Sequence, residues 1–340
     1  MTRTVRKVLL LVLFSALLAA VGVVSVVRAA DRADDRARAR PGGPAARSGA
    51  VSLDQPGRLL FRNLAWGPGR DMVASVPLGA PEEAARTTAG QDCLRFHAAA
   101  GTGVCLRRAG GVVPQYEAVV LDSALRPVRS FPVPGTPTRA RVSPSGRLLG
   151  WTVFVSGDSY AGGAFSTRTA VYDTRSGALV ESLEEFAVFD GGRRLRAADH
   201  NFWGVTFAAD DNRFYATLAT GGGTHLVEGD LRARELRVLR TNVECPSLSP
   251  DGTRIAFKKR VDGLPAEAPW RLYVLDLRSG AETELAERRS VDDQALWYDD
   301  TTLLYALPGD FGGDLWSLSV TGGGTPRLLL KSAVSPAVRP

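Results

Sequence analysis

A tight turn followed by a short apolar strand recurs along much of the chain, and this repeat constrains the fold more than any other feature. The two clearest copies are Ser249–Phe257, which begins Ser-Pro-Asp-Gly, and Ser143–Trp151, which begins Ser-Pro-Ser-Gly. A decayed copy spans Ala208–Ala216, and a copy shortened by one residue spans Tyr298–Tyr305. Each copy is followed by a second strand pattern that ends in a polar turn, as in Arg271–Gly280.

The residue types of this repeat predict hairpins. In the first turn, proline fixes φ, aspartate caps the backbone and glycine adopts a positive φ. The second turn, Asp276–Gly280, closes another hairpin, so that each unit supplies four antiparallel strands. A single sheet of this kind cannot cover both of its apolar faces, whereas several sheets arranged radially can. The sequence therefore predicts an all-β six-bladed β-propeller, with blades that begin near residues 51, 91, 133, 186, 241 and 288.

The two patterns, Ser249–Phe257 and Leu272–Gly280, resemble the WD-repeat-like propeller repeat of the TolB type. The resemblance covers residues 133–332 well and residues 51–132 poorly, because the first two blades lack the turn. It implies a rigid six-bladed propeller in an exported compartment that acts as a platform for protein interactions. The composition, rich in Arg and Ala and poor in Lys, is typical of an actinobacterial protein of this type.

An uninterrupted apolar run, Val8–Val27, follows the basic residues Arg3, Arg6 and Lys7. A helix of that length spans roughly 30 Å, the thickness of the hydrocarbon core of a bilayer. The basic flank indicates that the N-terminus stays in the cytoplasm. The pattern predicts a single-pass anchor in the cell membrane with the propeller outside. The alternative is a signal peptide that is cleaved near Ala29, which would release a secreted protein.

We expect five segments along the chain. They are a basic cytoplasmic segment (1–7), a transmembrane or signal helix (8–27), a flexible charged linker (28–50), the propeller (51–332) and a C-terminal tail (333–340). Residues 1–50 hold nine basic and three acidic residues, which account for the whole net charge of +6. Since the predicted propeller is neutral, it lacks the positive surface that a nucleic-acid-binding protein needs.

The three cysteines predict one disulfide. Cys93 and Cys105 lie on neighbouring predicted strands joined by a short loop, Ala99–Gly103. In an oxidising exported compartment such a hairpin predicts a disulfide if the register allows it, with two buried thiols as the alternative. Cys245 is left without a partner, and its place just before an inner strand predicts a buried thiol.

One short motif raises the question of catalysis. Gly157–Ala161 resembles the nucleophile elbow of serine hydrolases, with Ser159 at its centre, but Ala161 replaces the last glycine. The elbow also needs a helix after the nucleophile, whereas Ala164–Tyr172 is typical of a strand. The three histidines are far apart in the chain and show no metal-ligand spacing, so we expect neither a metal nor a cofactor.

Polar residues at the starts of the inner strands predict a binding site, because all inner strands of a propeller start at one mouth of its central channel. Alignment of the blades on the repeated turn places ten candidates at this mouth or over it: Asp92, Arg139, Asp158, Tyr160, His200, Asn201, Asn242, Glu244, Asp292 and Asp293. Alternatively, these residues are solvated and only satisfy the backbone at strand ends. Trp203 and Trp297 are expected in the core between blades.

The sequence thus predicts a monomeric, non-catalytic TolB-like propeller that binds a protein partner or a small ligand at the channel mouth and is tethered to the membrane. The alternatives are an enzyme, either a hydrolase that uses Ser159 or a cyclase or lyase that uses the carboxylates of the mouth, and a propeller that binds a small ligand or a cell-wall glycan at the same mouth.

Overall fold

The computed structural model describes most of the chain after residue 41 and part of the segment before it. The described residues are 42–82, 84–110, 115–155, 166–321 and 323–339, preceded by Lys7, 12–15, 18–22, 24–25, 28–29, Arg32 and Asp35. Within them the strands form six sheets, of which four have four strands, one has five and one has six. The prediction of an all-β, six-bladed propeller with antiparallel blades is confirmed.

The blades are numbered I to VI along the chain. Blade I contains β1 (Ala46–Ser48), β2 (Arg58–Asn63), β3 (Met72–Pro77) and β4 (Arg86–Asp92). Blade II contains β5 (Arg95–Ala99), β6 (Thr102–Ala109), β7 (Gln115–Leu121) and β8 (Pro127–Val133). Blade III contains β9 (Thr136–Val142), β10 (Leu148–Val155), β11 (Ser166–Asp173) and β12 (Leu179–Val180).

The second half of the ring follows a short 3-10 helix, Leu183–Glu185. Blade IV contains β13 (Ala187–Asp190), β14 (Arg193–Leu195), β15 (Asn201–Phe207), β16 (Arg213–Thr220), β17 (Gly223–Asp230) and β18 (Glu235–Thr241). Blade V contains β19 (Glu244–Leu248), β20 (Arg254–Arg260), β21 (Trp270–Asp276) and β22 (Glu282–Glu284). Blade VI contains β23 (Leu296–Trp297), β24 (Thr302–Leu307), β25 (Asp314–Ser319) and β26 (Arg327–Leu330), and the last strand is β27 (Ala333–Arg339).

The apolar core lies between neighbouring blades. Leu106 and Val120 of blade II form one buried cluster with Leu149 and Trp151 of blade III. The other clusters also join adjacent sheets. Since each sheet is covered by its neighbours, every blade is fully buried only when the ring is closed.

The repeated turn adopts the geometry that its residues predict. In blade V the backbone N–H of Gly252 donates to the carbonyl of Ser249 (2.9 Å), and Gly252 has a φ of 71°. The Ser249 hydroxyl accepts a hydrogen bond from the backbone N–H of Arg254 (3.0 Å). The Asp251 carboxylate accepts a hydrogen bond from the backbone N–H of Thr253 (3.0 Å), as predicted, and the serine of the motif is a second side-chain cap of the turn.

The C-terminus differs from the predicted tail at 333–340. Residues Ala333–Arg339 form β27, which is the innermost strand of blade I and pairs antiparallel with β2, so that Ala337 faces Leu60. The first blade is therefore built from both ends of the chain. The linker predicted at 28–50 also ends earlier, because β1 pairs in parallel with β4. Neither strand follows the repeated turn, which is why the repeat did not reveal them.

Arg86 links β4 to the segment just before β27. Its side chain is buried, and one guanidinium nitrogen donates to the Asn63 side chain (2.8 Å) and to the Ser332 carbonyl (2.9 Å). A second nitrogen donates to the Lys331 carbonyl, and the guanidinium lies 5.2 Å from the centre of the Phe61 ring. Burial lowers the pKa of Arg86 to about 10. Arg86 therefore connects blade I to the segment before β27 by polar contacts and stabilises the closed ring.

Blade IV departs from the predicted four strands. Two additional strands, β13 and β14, extend its outer edge, and β13 pairs in parallel with β18. The outermost strand carries Arg193 and Arg194, which are exposed. Charged residues on an edge strand hinder pairing with the edge of another sheet.

The predicted membrane helix at 8–27 lies only partly within the described residues, since 8–11, 16–17, 23 and 26–27 fall outside them. Among the described residues, no helix combines the length and the apolar character needed to cross a membrane.

The structure contains a disulfide between Cys93 and Cys105, whose Cα atoms are 5.3 Å apart. Both residues are buried in a cluster that also contains Phe96 and Leu121. Cys245 is a buried free thiol, in agreement with the sequence. The bond connects the entry of β5 to the middle of β6 and so braces the inner part of blade II.

Reduction of this disulfide should lower the free energy of unfolding by roughly 2–3 kcal/mol, because the bond constrains the unfolded chain across a short loop. Urea unfolding monitored by tryptophan fluorescence, with and without a reductant, measures the difference. The variant Cys93→Ala is the control, since it has no bond to reduce. Identical unfolding curves of the unaltered protein with and without the reductant would contradict the presence of a stabilising disulfide.

The substitution Arg86→Met should lower the free energy of unfolding by about 3 kcal/mol or more, because it removes the donor to the Asn63 side chain and to the Lys331 carbonyl and leaves the Ser332 carbonyl with only the backbone N–H of Leu64. Arg126→Met serves as a control at an exposed ion pair and should cost less than about 1 kcal/mol. Equilibrium unfolding in urea compares the two. Equal losses of unfolding free energy in the two variants would show that Arg86 does not stabilise the closed ring.

Candidate functional site

The mouth of the propeller is formed by two sets of strand ends. The inner strands β5, β9, β15 and β19 start there, and each pairs antiparallel with the second strand of its blade, which ends there. Glu244 at the start of β19 thus lies opposite Lys258 on β20. Likewise, Asn201 at the start of β15 lies opposite Ala219 on β16. Side chains of both sets meet at the mouth.

A cavity of about 740 Å³ opens at this mouth and is lined from blades II to VI. Its lining combines charged and aromatic side chains. The charged residues are Arg95, Arg139, Asp199, Glu244, Lys258, Arg260 and Asp292, and the aromatic residues are Phe154, Trp203 and Trp270. A concave surface with a few convergent polar groups and aromatic walls has the features of a binding site.

Glu244 is the centre of one wall of the cavity. Its carboxylate accepts hydrogen bonds from Arg260 Nε (2.9 Å) and Trp270 Nε1 (3.0 Å), and it lies 3.5 Å from Lys258 Nζ. Only 5% of the Glu244 side chain and 3% of the Lys258 side chain are exposed. A buried carboxylate with three donors is fixed in place, so this wall is held rigid before any ligand arrives.

Lys258 connects this wall to blade VI. Its ammonium group contacts the side chain of Asp292 and lies 3.2 Å from the Asp292 carbonyl oxygen. It also lies 4.0 Å from the centre of the Trp270 ring, and Arg260 lies 4.9 Å from the same centre. Cations so close to an aromatic ring are attracted to its faces. Asp292, in contrast, has a side chain that is 70% exposed.

Two arginines form the floor of the cavity. Arg139 and Arg95 lie 3.6 Å and 3.9 Å from the carboxylate of Asp293. Burial opposes the ionisation of Asp293, but the positive charges of Arg139 and Arg95 outweigh burial and lower its pKa. Asp293 therefore stays charged at neutral pH and holds the two guanidinium groups together.

The structure places half of the ten predicted mouth residues at the cavity or directly below it. Arg139, Asn201, Glu244 and Asp292 line the cavity, and Asp293 lies under its floor. Asn201 is fixed by its side-chain oxygen, which accepts a hydrogen bond from the backbone N–H of Thr167 (2.8 Å). It therefore joins blade III to blade IV.

Three of the other five predicted residues are described and do not line the cavity. The Asn242 side chain exchanges two hydrogen bonds of 3.0 Å with the backbone of Arg260, so it satisfies a strand end, as in the alternative interpretation. His200 lines a separate depression on blade IV. Asp92 ends β4 opposite Met72. The remaining two, Asp158 and Tyr160, lie outside the described residues.

Seven charged or aromatic residues of the described lining were not predicted at the mouth from the sequence. They are Arg95, Phe154, Asp199, Trp203, Lys258, Arg260 and Trp270. Trp203 was assigned to the core between blades together with Trp297, but only Trp297 is buried there, with its Nε1 donating to the Ser247 carbonyl (2.8 Å). Lys258 and Arg260 could have been predicted from the sequence, because the strand that follows the repeated turn runs back to the mouth and ends there.

No family model and no curated protein matches the chain. Among solved structures it is similar to TolB from Acinetobacter baumannii, with a TM-score of 0.55 and 16% identity over 84% of this chain and 67% of that chain. It is also similar to a functionally unknown protein from Desulfotomaculum acetoxidans, with a TM-score of 0.49 and 11% identity over 84% of this chain and 99% of that chain.

A third similar structure is a puromycin-hydrolyzing peptidase from Mycobacterium tuberculosis, with a TM-score of 0.45 and 15% identity over 85% of this chain and 56% of that chain. Identities this low are informative about fold and not about activity. The similarity to TolB therefore shows that the chain has a TolB-like β-propeller fold.

Proposed function

We propose that the chain is a non-catalytic binding module that holds a protein partner at the mouth cavity. The observation that carries this proposal is the cavity of about 740 Å³ that five of the six blades build together. Most of its charged side chains are already paired with one another, so the surface is preorganised. Binding then requires little reordering, which reduces its entropic cost.

The rim of the cavity supports a protein partner. Phe154, the residue before the last one of β10, lies at the rim and is 44% exposed. Trp203 lies on the same lining, and the arginines Arg139 and Arg260 flank them. Aromatic and arginine side chains are enriched in the parts of protein interfaces that contribute most to affinity. Paired charges around them would fix the orientation of a partner.

The arrangement of two acidic residues of the cavity wall, Glu244 and Asp199, supports a site without catalytic activity of its own, and the more exposed Asp292 contacts Lys258. A general acid or base must reach the substrate with a free hydrogen-bonding position. Glu244 is buried and is held by Arg260, Trp270 and Lys258. Asp199 accepts hydrogen bonds from the Thr220 hydroxyl and the Gly221 backbone, both at 2.7 Å. The carboxylates of Glu244 and Asp199 therefore have a structural role in the cavity wall.

The compartment we propose is extracytoplasmic, with the propeller tethered to the membrane through residues 8–27 and acting as a monomer. The disulfide Cys93–Cys105 supports an oxidising location, because such bonds persist mainly outside the cytosol. The apolar run after Arg3, Arg6 and Lys7 supports export.

The test uses a photoreactive benzoylphenylalanine in place of Phe154, expressed in cells that carry the membrane-tethered full chain. This residue keeps the aromatic character of the rim, whereas a charge reversal at buried Glu244 would itself destabilise the wall. We expect ultraviolet light to yield one dominant protein adduct, identified by mass spectrometry.

The matched control places the same photoreactive residue at Val128, which is 61% exposed on the outermost strand of blade II. This position should give no such adduct. Equal adducts from both positions, or none from position 154, would contradict a protein-binding mouth.

The absence of a catalytic serine at Ser159 is tested by labelling the full chain with a serine-directed fluorophosphonate. We expect no labelling, because Gly157–Ala161 lacks the last glycine of a nucleophile elbow. Labelling that disappears in Ser159→Ala would overturn the non-catalytic part of the proposal.

A further inference from the structure

Below the floor of the mouth cavity, the central channel narrows to a neck of about 30 Å³. Three arginines reach this neck. Arg139 and Arg141 are alternate residues of β9 and so share one face of that strand, and Arg95 comes from the neighbouring β5. Asp293 and His97 also line the neck.

Arg141 is the least satisfied charged group described in the neck. It is 7% exposed, and one of its nitrogens donates to the Ala295 carbonyl (3.0 Å), whereas its Nε has no hydrogen-bond partner. No carboxylate of a described residue forms an ion pair with it within 4.0 Å. Burial, only partly opposed by the charge of Asp293, lowers the pKa of Arg141 to about 10. A buried cation without a counter-ion is costly.

His97 adds a second donor at the same place. Its Nδ1 accepts a hydrogen bond from the backbone N–H of Val142 (3.1 Å), so the proton of the neutral ring must lie on Nε2. Nε2 lies 3.3 Å from Arg141 Nη1, which carries protons only. Burial and the charge of Arg141 lower the pKa of His97 well below its usual value, so the ring is neutral. Two donors therefore face each other without an acceptor.

The charges of the neck do not balance. Asp293 is the one carboxylate among the described residues that line it, and it is shared by Arg139 and Arg95 at 3.6 Å and 3.9 Å. With His97 neutral, the described residues that line the neck carry three guanidinium groups and one carboxylate. Asp292 adds a second negative charge near Arg95 and Arg139, but not near Arg141. An excess of positive charge in a protein interior attracts an anion strongly, because the local dielectric constant is low.

We propose that the neck is a binding site for one monoatomic anion of the size of chloride, held by Arg141 and the Nε2–H of His97. The anion would accept hydrogen bonds from both donors and offset the charge of Arg141. The neck has room for only one or two groups of the size of water, which suits a chloride ion better than a bulkier tetrahedral oxyanion. Water fits as well, but it does not balance the charge.

The test follows the thermal midpoint of unfolding as sodium chloride replaces sodium gluconate at constant ionic strength. A ligand that binds only the folded state raises the midpoint as its concentration rises. We expect a saturable rise of a few degrees. A midpoint that does not depend on chloride would overturn the proposal.

The variant Arg141→Met should lose this chloride dependence, whereas Arg107→Met should keep it. Arg107 is a suitable control because it is paired with Glu117 between β6 and β7 and is not among the described residues that line the neck. A chloride dependence that survives in Arg141→Met would place the anion elsewhere and overturn the assignment.

Crystals of the unaltered protein soaked in sodium bromide give a readout that does not depend on the folding of a variant. We expect an anomalous difference peak in contact with both Arg141 and His97. Density in the neck without an anomalous signal would identify water and overturn the proposal. The result is independent of whether the mouth above binds a protein.

Discussion

The pairing of β27 with β2 is the constraint on which the rest of the structure depends. Each blade buries its apolar faces against two neighbours, so an open ring would leave the faces of blades I and VI in water. The chain closes the ring by bringing its C-terminal strand into its first blade, with Leu59 opposite Val338. Arg86 then donates to two carbonyls just before that strand and holds the junction shut.

Ring closure also builds the mouth. The inner strands can converge at one end of a channel only if all six blades are held at fixed angles around a shared axis. Glu244, Arg139 and Asp292 come from three different blades, yet they lie on one cavity wall and floor. Some ion pairs of the cavity cross between blades, as in Lys258 with Asp292 and Arg139 with Asp293. The ion pairs between blades at the mouth therefore stabilise the closed ring, and the closed ring in turn holds their side chains together.

The repeated turn made much of the fold predictable, because Ser249–Gly252 specifies a hairpin by local backbone preferences alone. It also placed Glu244 and Arg139 at the mouth. Contacts between distant parts of the chain could not be predicted from local backbone preferences. Arg86, for example, donates a hydrogen bond to a carbonyl 246 residues away. Lys258 was missed for another reason, since only the starts of inner strands were considered and not the ends of the strands paired with them.

Native-state hydrogen exchange of β2 and β27 tests ring closure most directly, since it measures the free energy at which each paired amide opens. The structure predicts that the amides of the pairs Leu59–Val338 and Leu60–Ala337 open only when the whole propeller unfolds, as do those in the centre of blade III. If the amides of β27 exchange through a local opening while blade III stays protected, the C-terminal strand does not close the ring.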